Sequence, residues 1–241
     1  MIGVILTAGQ GQRLRPFTND RPKGLVEING IPLLNFSIAL LEKIGAEKII
    51  LIGGFEGEKV KSYAEKTQKP HVTYTHVEQY QKGNLISWMA ALPHITNEDV
   101  FLMNADHLYK RAVVEKILGC KNGITAFCDT DRVLGDDDMK VYAPENVITD
   151  ISKQLQTFTH GYVGCTYISK ELLPVYQETA QELHEKNDGT FAVEKILAEV
   201  SRKVPVTIGD VSGAGWFEID TPEELKIAEL FITNNTQDFY L

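Results

Sequence analysis

The sequence predicts an α/β fold of three layers, α/β/α, with helices on both faces of a central, mostly parallel mixed sheet. Three observations lead there. Residues 2–6 and 100–103 are unbroken apolar runs of strand length, and 48–52 is one after its leading Lys48, the pattern of strands buried on both faces. Segments of helical length lie between such runs, and strands alternating with helices call for a parallel, doubly wound sheet. In such sheets ligands bind at the carboxyl ends of the strands. The first run ends in Gly9-Gln10-Gly11 and the last in Asn104-Ala105-Asp106, so these two stretches are expected to face one crevice.

After the opening strand, residues 25–32 read as a hairpin turning at Asn29-Gly30. A helix is expected from about 33 to 44, with Leu34, Ile38 and Leu41 on one side and Gly45 as its C-cap. The second strand (48–52) leads to a polar helix with a narrow apolar stripe (56–66) and a third strand (72–77). A polar loop over 78–84 precedes a helix from 86 to 92, in which Trp88 and Met89 read as core, and then the fourth strand (100–103).

The second half is less regular. Residues 123–128 read as a strand, 129–138 as a polar, acidic stretch, and 139–152 as a hairpin turning near Pro144-Glu145-Asn146. A strand over 162–168 and helices over 170–184 and 191–200 follow. Pro205 puts the short strand 204–208 at a sheet edge. After a turn at 212–215 and a strand over 216–220, Thr221, Pro222 and Glu224 spell a capped helix start, N-cap, first helical position and capping-box acid, running to about 232. The tail from 234 reads as frayed, with Phe239, Tyr240 and Leu241 available to dock. No repeat, low-complexity stretch or linker divides the chain, which reads as one domain with a lid-like insertion around 129–160.

The 241 residues are enough for one large domain with a full core. A net charge of −9 and a pI near 5.2 argue against a general nucleic-acid binder. The three cysteines form no CxxC pair, so they read as buried thiols in a reducing compartment rather than a disulfide framework or zinc site. The N-terminal apolar run breaks at Gly9, too early for a signal peptide or membrane span. A cytoplasmic protein is therefore expected, and a homo-oligomer is compatible with the chain.

An acidic chain that handles an anion must concentrate positive charge locally, and the opening loop does so. Gly9 and Gly11 permit positive φ and close backbone approach, and a nest of free N–H groups after a strand attracts phosphate. Arg13, Arg15 and Lys23 add fixed positive charge. There is no third glycine for a dinucleotide fingerprint and no Gly-Lys-Ser/Thr ending for a P-loop. Asp106 ends a buried strand, and Glu218 and Asp220 alternate along another strand end, so their side chains point the same way. Singly, each reads as a turn or capping acid. Together with the phosphate nest they supply what metal-assisted nucleotidyl transfer needs, since Mg²⁺ prefers one or two carboxylates plus phosphate oxygens and water. The six histidines show no metal-ligand spacing, and His107 reads as a satisfied structural residue.

The whole string Gly9-x-Gly11-x-Arg13-Leu14-x-Pro16-x-Thr18-x3-Pro22-Lys23 resembles the signature of the sugar-phosphate nucleotidyltransferase superfamily, whose fold is Rossmann-like. Trp216-Phe217-Glu218-Ile219-Asp220-Thr221-Pro222-Glu223-Glu224-Leu225 is similar to that superfamily's Trp-x-Asp-x-Asp-Thr-Pro-Glu-Asp-Leu ending, with Glu218 in place of the usual aspartate. The resemblance implies Mg²⁺ held by Asp106 and Asp220, with Glu218 as a further candidate. It implies charge stabilisation by Arg13 and Lys23. It implies a nucleotide site built from Leu6, Ala8, Gly9, Gly11, Gln12, Arg13, Gln79, Gly83 and Asn84.

Asn104-Ala105-Asp106-His107 is similar to the Ala/Ser-Asp-His motif of inositol-1-phosphate cytidylyltransferases, and Asp137-Asp138-Met139-Lys140-Val141 resembles the acidic segment and lysine before that family's lid. This favours CTP as donor and a phosphorylated small alcohol as acceptor, with Lys23, Lys140 and Tyr162 as acceptor contacts. Asp136, Asp137 and Asp138 themselves read as a solvated turn. His160-Gly161-Tyr162-Val163-Gly164 departs from the Asp-Thr-Gly of the inositol-phosphate enzymes. Phosphocholine and other alcohol phosphates therefore stay open as acceptors, as do a UTP- or dTTP-dependent sugar-1-phosphate enzyme and a non-catalytic sensing subunit.

Overall fold

The structure, a computed structural model, describes residues 1–187 and 190–240. β1 (Ile2–Thr7) leads through the glycine loop into the β2 (Glu27–Ile28) and β3 (Ile31–Pro32) hairpin, then α1 (Leu33–Lys43), β4 (Lys48–Gly53), α2 (Gly57–Lys66) and β5 (Val72–His76). Next come α3 (Asn84–Ala91), β6 (Val100–Asn104), β7 (His107–Tyr109), α4 (Arg111–Gly119) and β8 (Ile124–Asp129). The chain continues with β9 (Lys140–Tyr142), β10 (Asp150–Ser152), β11 (His160–Ile168), α5 (Leu173–Asn187) and α6 (Glu194–Val200). β12 (Val206–Asp210), β13 (Trp216–Glu218) and α7 (Pro222–Asn234) complete it.

The main sheet runs β10-β9-β11-β6-β1-β4-β5, with β8 against β11 and β12 against β8. β6, β1, β4 and β5 are parallel neighbours, as are β8 and β12. β11 enters antiparallel to β6 and branches the sheet, its start pairing with β9 and the rest with β8. The register shifts between Tyr162 and Thr166. Within that irregularity Gly164 has φ +78°, a conformation that side chains disfavour.

Successive residues of β1 face opposite sides, and both sides are covered. Val4 and Leu6 join one apolar cluster with Trp88 of α3, Tyr176 of α5 and Ile196 of α6. Ile5 joins another with Leu41 of α1, Val60 of α2 and Ile117 of α4. These are the two outer layers expected of the α/β/α fold. Each such large side chain removed from water is worth about 1.5–3 kcal/mol. Gly3 lets α1 come close, since a Cβ there would lie 2.6 Å from a Leu41 methyl. A third cluster under α7 gathers Leu14, Ile28, Leu108, Ile219 and Phe239.

Expected strands and helices recur with shifts of a few residues at their ends. Two elements were not foreseen. β7 has three residues, too few for a pattern. α4 carries adjacent β-branched Val113 and Val114 and has no side-chain N-cap, so it lacks both propensity and start signals. The tail is ordered rather than frayed: Phe239 is buried, packs edge-on against Phe36, and its carbonyl accepts from Arg111 Nε at 3.0 Å. Leu241 lies outside the described residues. β12 begins after Pro205 and pairs on its β8 side, with a single bridge from Val147 to Thr207. Cys120, Cys128 and Cys165 are free thiols, the latter two buried. Among the described residues no helix is long and apolar enough to cross a membrane.

Candidate active site

Two cavities open at the carboxyl ends of β1 and β6 and share a wall. The larger, about 440 Å³, lies under the glycine loop between Ala8, Gly11 and Gln12 on one side and Tyr80, Gly83 and Asn84 on the other. The smaller, about 260 Å³, runs from Asp106 toward Lys153, Tyr162 and Glu194. Arg13, Asn84, Asn104, Asp106 and Asp220 line both.

The glycine loop is shaped by Gly11 rather than Gly9. Gly11 is left-handed (φ 59°), and its carbonyl accepts from Thr18 Oγ1 at 2.7 Å. A Cβ on Gly9 would meet nothing, so the backbone there is open to a ligand. On the opposite wall, Gly83 (φ 127°) starts α3. The Asn84 side-chain Oδ1 accepts from the Val193 N–H at 2.7 Å, tying α3 to the α6 entry.

At the shared wall the charges interlock. Lys23, only 12% exposed, donates to Asp106 Oδ2 at 2.8 Å and to Asp220 Oδ1. Arg13, 53% exposed, donates to Asp220 Oδ2 and to Asp137 Oδ2 at 3.0 Å. Burial alone would raise the Asp106 carboxyl, but Lys23 and His107 outweigh it and hold Asp106 well below the usual carboxylate range. Burial opposes the charge on Lys23, yet Asp106 and Asp220 keep its pKa above the ordinary lysine value. Glu218 goes the other way: burial raises it, His107 counters, and Asp106 and Asp220 push it up further.

Asp220 is positioned by its neighbours in sequence. The expected capping box forms, with Thr221 Oγ1 accepting from the Glu224 N–H at 3.3 Å and Glu224 Oε2 accepting from the Thr221 N–H at 2.8 Å. Glu224 Oε2 also accepts from the Asp220 N–H at 2.7 Å, so the helix start holds the Asp220 backbone. Glu218 ends β13 opposite His107 of β7.

Of the residues singled out in the sequence, Leu6, Ala8, Gly9, Gly11, Gln12, Arg13, Gly83 and Asn84 line the larger cavity, with Lys23, Asp106 and Asp220. Glu218 and Tyr162 line the smaller one. The Tyr162 hydroxyl pairs with Thr166 Oγ1 at 2.8 Å. Two expected contacts fall elsewhere. Gln79 is exposed, and Tyr80 takes its place at the cavity; Gly54 makes the room, because a Cβ there would sit 2.6 Å from Tyr80. Lys140 turns away from the cavity, its ammonium donating to the carbonyls of Gly135 at 2.5 Å and Lys153 at 2.8 Å. Lys153 lines the smaller cavity instead.

Glu194 was not foreseen either. It is buried, and burial raises its pKa, with its own backbone and the Asn104 and Asn84 side chains working against that rise. Nothing near it in sequence signals a site; only the fold brings α6 to the end of β6.

The donor atoms suit a hard divalent cation. Asp106, His107 and Glu218 offer ligand atoms all within 4.8 Å of one another. Asp106 and Asp220 converge on the Lys23 ammonium, so positive charge is already favoured at that point. Oxygen donors from one or two carboxylates beside a phosphate site match the preference of Mg²⁺.

The chain is 28% identical over 238 residues to the bifunctional IPC transferase and DIPP synthase of Aquifex aeolicus, covering 95% of this chain and 51% of that protein. It is 37% identical over 110 residues to the UTP–glucose-1-phosphate uridylyltransferase of Haloferax volcanii, covering 45% of this chain and 44% of that protein. The chain thus spans about half the length of the curated relatives it matches. The solved structure of the inositol-1-phosphate CTP transferase from T. maritima shares its fold, with a TM-score of 0.80 at 22% identity over 97% of this chain and 96% of that one. The MobA-like NTP transferase domain matches residues 3–185, most of the chain, and the protein belongs to that family.

Proposed function

We propose that this protein transfers a nucleotidyl group from an NTP, CTP first, to the phosphate of a small alcohol such as inositol 1-phosphate or phosphocholine, releasing pyrophosphate. The observation that carries this reading is the pair of cavities meeting at Arg13, Asp106 and Asp220. A donor under the glycine loop and an acceptor beside Lys153 would bring their phosphates together there.

In this reading Asp106 and Asp220, with Glu218 alongside, hold Mg²⁺, which when bound neutralises phosphate charge and polarises the α-phosphoryl group. The glycine-loop N–H groups and Arg13 bind the triphosphate. Lys23, fixed by its two carboxylates, stabilises charge at the reacting centre. An acceptor phosphate oxygen attacks the α-phosphorus in line. That P–O bond forms as the bond to pyrophosphate breaks, and no protein nucleophile is required. Lys153 meets the acceptor phosphate, and Glu194 faces the acceptor's far end, accepting from a hydroxyl or lying beside a trimethylammonium. The insertion around 129–160, which supplies Asp137, Met139 and Lys153, acts as a lid over the acceptor within a single domain.

The inositol-1-phosphate CTP transferase from T. maritima supports CTP and an alcohol phosphate. The Haloferax relative supports a second reading, UTP with a sugar 1-phosphate. Pyrophosphate release measured with Mg²⁺ over a grid of five NTPs against inositol 1-phosphate, phosphocholine, glycerol phosphate and sugar 1-phosphates separates them. Activity confined to CTP with alcohol phosphates is expected. Activity with UTP and a sugar phosphate would replace the substrate. No release and no nucleotide binding would remove the catalytic reading.

A further inference from the structure

His107 is held far more tightly than a core histidine needs to be. Its ring is almost fully buried and stacks on Trp216, with centroids 5.1 Å apart and planes 7° apart, and on Tyr109 at 5.9 Å and 20°. Trp216 is itself pinned: its indole N–H donates to Asp129 Oδ2 at 2.8 Å, and the Arg132 guanidinium lies 4.0 Å over its ring. On the Nε2 edge stands Gly164, where a Cβ would come within 2.6 Å of that nitrogen. The bulged, positive-φ backbone of β11 at this point therefore has a purpose: only glycine leaves room for the ring.

This packing serves one polar contact. Among the described residues the single hydrogen bond of the His107 side chain joins Nδ1 to Asp106 Oδ1 at 2.5 Å. A carboxylate only accepts, so Nδ1 carries the proton. A carboxylate on a single Cβ can otherwise turn about its own axis. With Oδ1 held, Oδ2 is left facing Lys23 and the shared wall of the two cavities. Groups that orient metal-binding carboxylates typically matter 10- to 100-fold for affinity or activity.

We infer that His107 is a positioning residue that locks the Asp106 carboxylate, through Nδ1, in the orientation that presents Oδ2 to the metal and the reacting phosphates. This rests on the reading of Asp106 as a metal carboxylate. It differs from direct ligation, which would need Nε2, the nitrogen facing Gly164.

Two amide substitutions separate these roles, because asparagine places its NH₂ near the Nδ1 position and glutamine near Nε2. Mn²⁺ binding in the presence of CTP, followed by electron paramagnetic resonance, is measured for wild type, H107N, H107Q and H107F, with kcat, acceptor KM and melting temperature. The expected order is wild type, then H107N within about 5-fold, then H107Q and H107F weaker in Mn²⁺ affinity and kcat by roughly 10- to 100-fold, with acceptor KM nearly constant. Equal Mn²⁺ affinity in H107F and wild type would reduce His107 to packing and overturn the inference. H107Q exceeding H107N, or H107N as weak as H107F, would overturn it too. If H107F does not fold, the two amide variants still decide. Wild type failing to bind Mn²⁺ with CTP, or CTP at all, would strike the metal reading itself, and is recognisable because it needs no variant.

Discussion

Replacing Lys23 by methionine removes the ammonium while keeping most of the stem. Asp106 and Asp220 then lose the cation they share, Asp106 keeping His107 and Asp220 keeping the half-exposed Arg13. Removing one partner of a buried ion pair costs about 3–5 kcal/mol. The two carboxylates are 22% and 18% exposed, so water and proton uptake relieve part of this, and the low end, about 3 kcal/mol, applies. For a chain of this size that corresponds to a melting point lower by about 6–12 °C in EDTA. A ligand at about 100 times its Kd adds about 2.7 kcal/mol to either protein, but a bound dication relieves more carboxylate repulsion where Lys23 is missing. Differential scanning fluorimetry in EDTA and in Mg²⁺ plus CTP should therefore show both proteins rising and the deficit narrowing with metal and nucleotide. The kcat/KM should stay down by at least ~100-fold, because a fixed charge at the reacting centre is gone. A variant that melts within about 2 °C of wild type in EDTA would refute the electrostatic argument. A deficit that Mg²⁺ and CTP leave unchanged would make Lys23 purely structural.

Three further perturbations test other parts of the site. Asp106→Ala should cut kcat by more than ~100-fold with an unchanged far-UV circular dichroism spectrum; turnover within a few-fold of wild type would sink the metal assignment. Gly11→Ala forces a side chain into φ +59° with its Cβ 3.1 Å from Thr18 Cγ2, and should cost about 1–2 kcal/mol while raising the NTP KM; an unchanged KM would detach the loop from nucleotide binding. Thr221→Ala removes the helix cap and should cost about 1 kcal/mol, a melting shift of roughly 2–4 °C, with weaker Mn²⁺ binding because Asp220 loses its anchored neighbour. Loss of stability without loss of metal affinity would confine Thr221 to the helix.

The sheet and the glycine loop were legible because each rests on local signals. β1, β4 and β6 are apolar runs with no competing interpretation, and Thr221, Pro222 and Glu224 specify their helix start within four residues. What stayed hidden depends on chain meeting chain. The resemblance pointed to Lys140 and nothing in the sequence marked Lys153; only the hairpin geometry turns Lys140 onto the Gly135 and Lys153 carbonyls. Gln79 and Tyr80 differ by one position, which in an irregular loop decides which side chain enters the cavity. Glu194 reaches the site because α6, packed on α5 and β10, brings its first residue to the cavity that Asn104 at the end of β6 also lines, ninety residues earlier in the chain. His107 read as an ordinary buried histidine, since the ring stack that singles it out draws on β7 and β13 together.

The different burial of the two cations divides their work. Lys23 is nearly enclosed and bound to two carboxylates, one of which is itself gripped by His107. Pulling it away would strand buried charge, so it is a fixed point in any reaction the site supports. Arg13 is half exposed, and its partner Asp137 is more exposed still. Surface pairs of that kind are worth about 0.2–1 kcal/mol, so a phosphate, which offers a guanidinium a bidentate partner, can take Arg13 from Asp137 at small cost. Asp137 belongs to the acidic stretch that lines the smaller cavity. In the nucleotidyl-transfer reading, donor binding therefore frees that stretch from the wall it closes. An overall charge of −9 is then no obstacle to binding an anion, because the positive charge that counts is held at the site and merely changes partners.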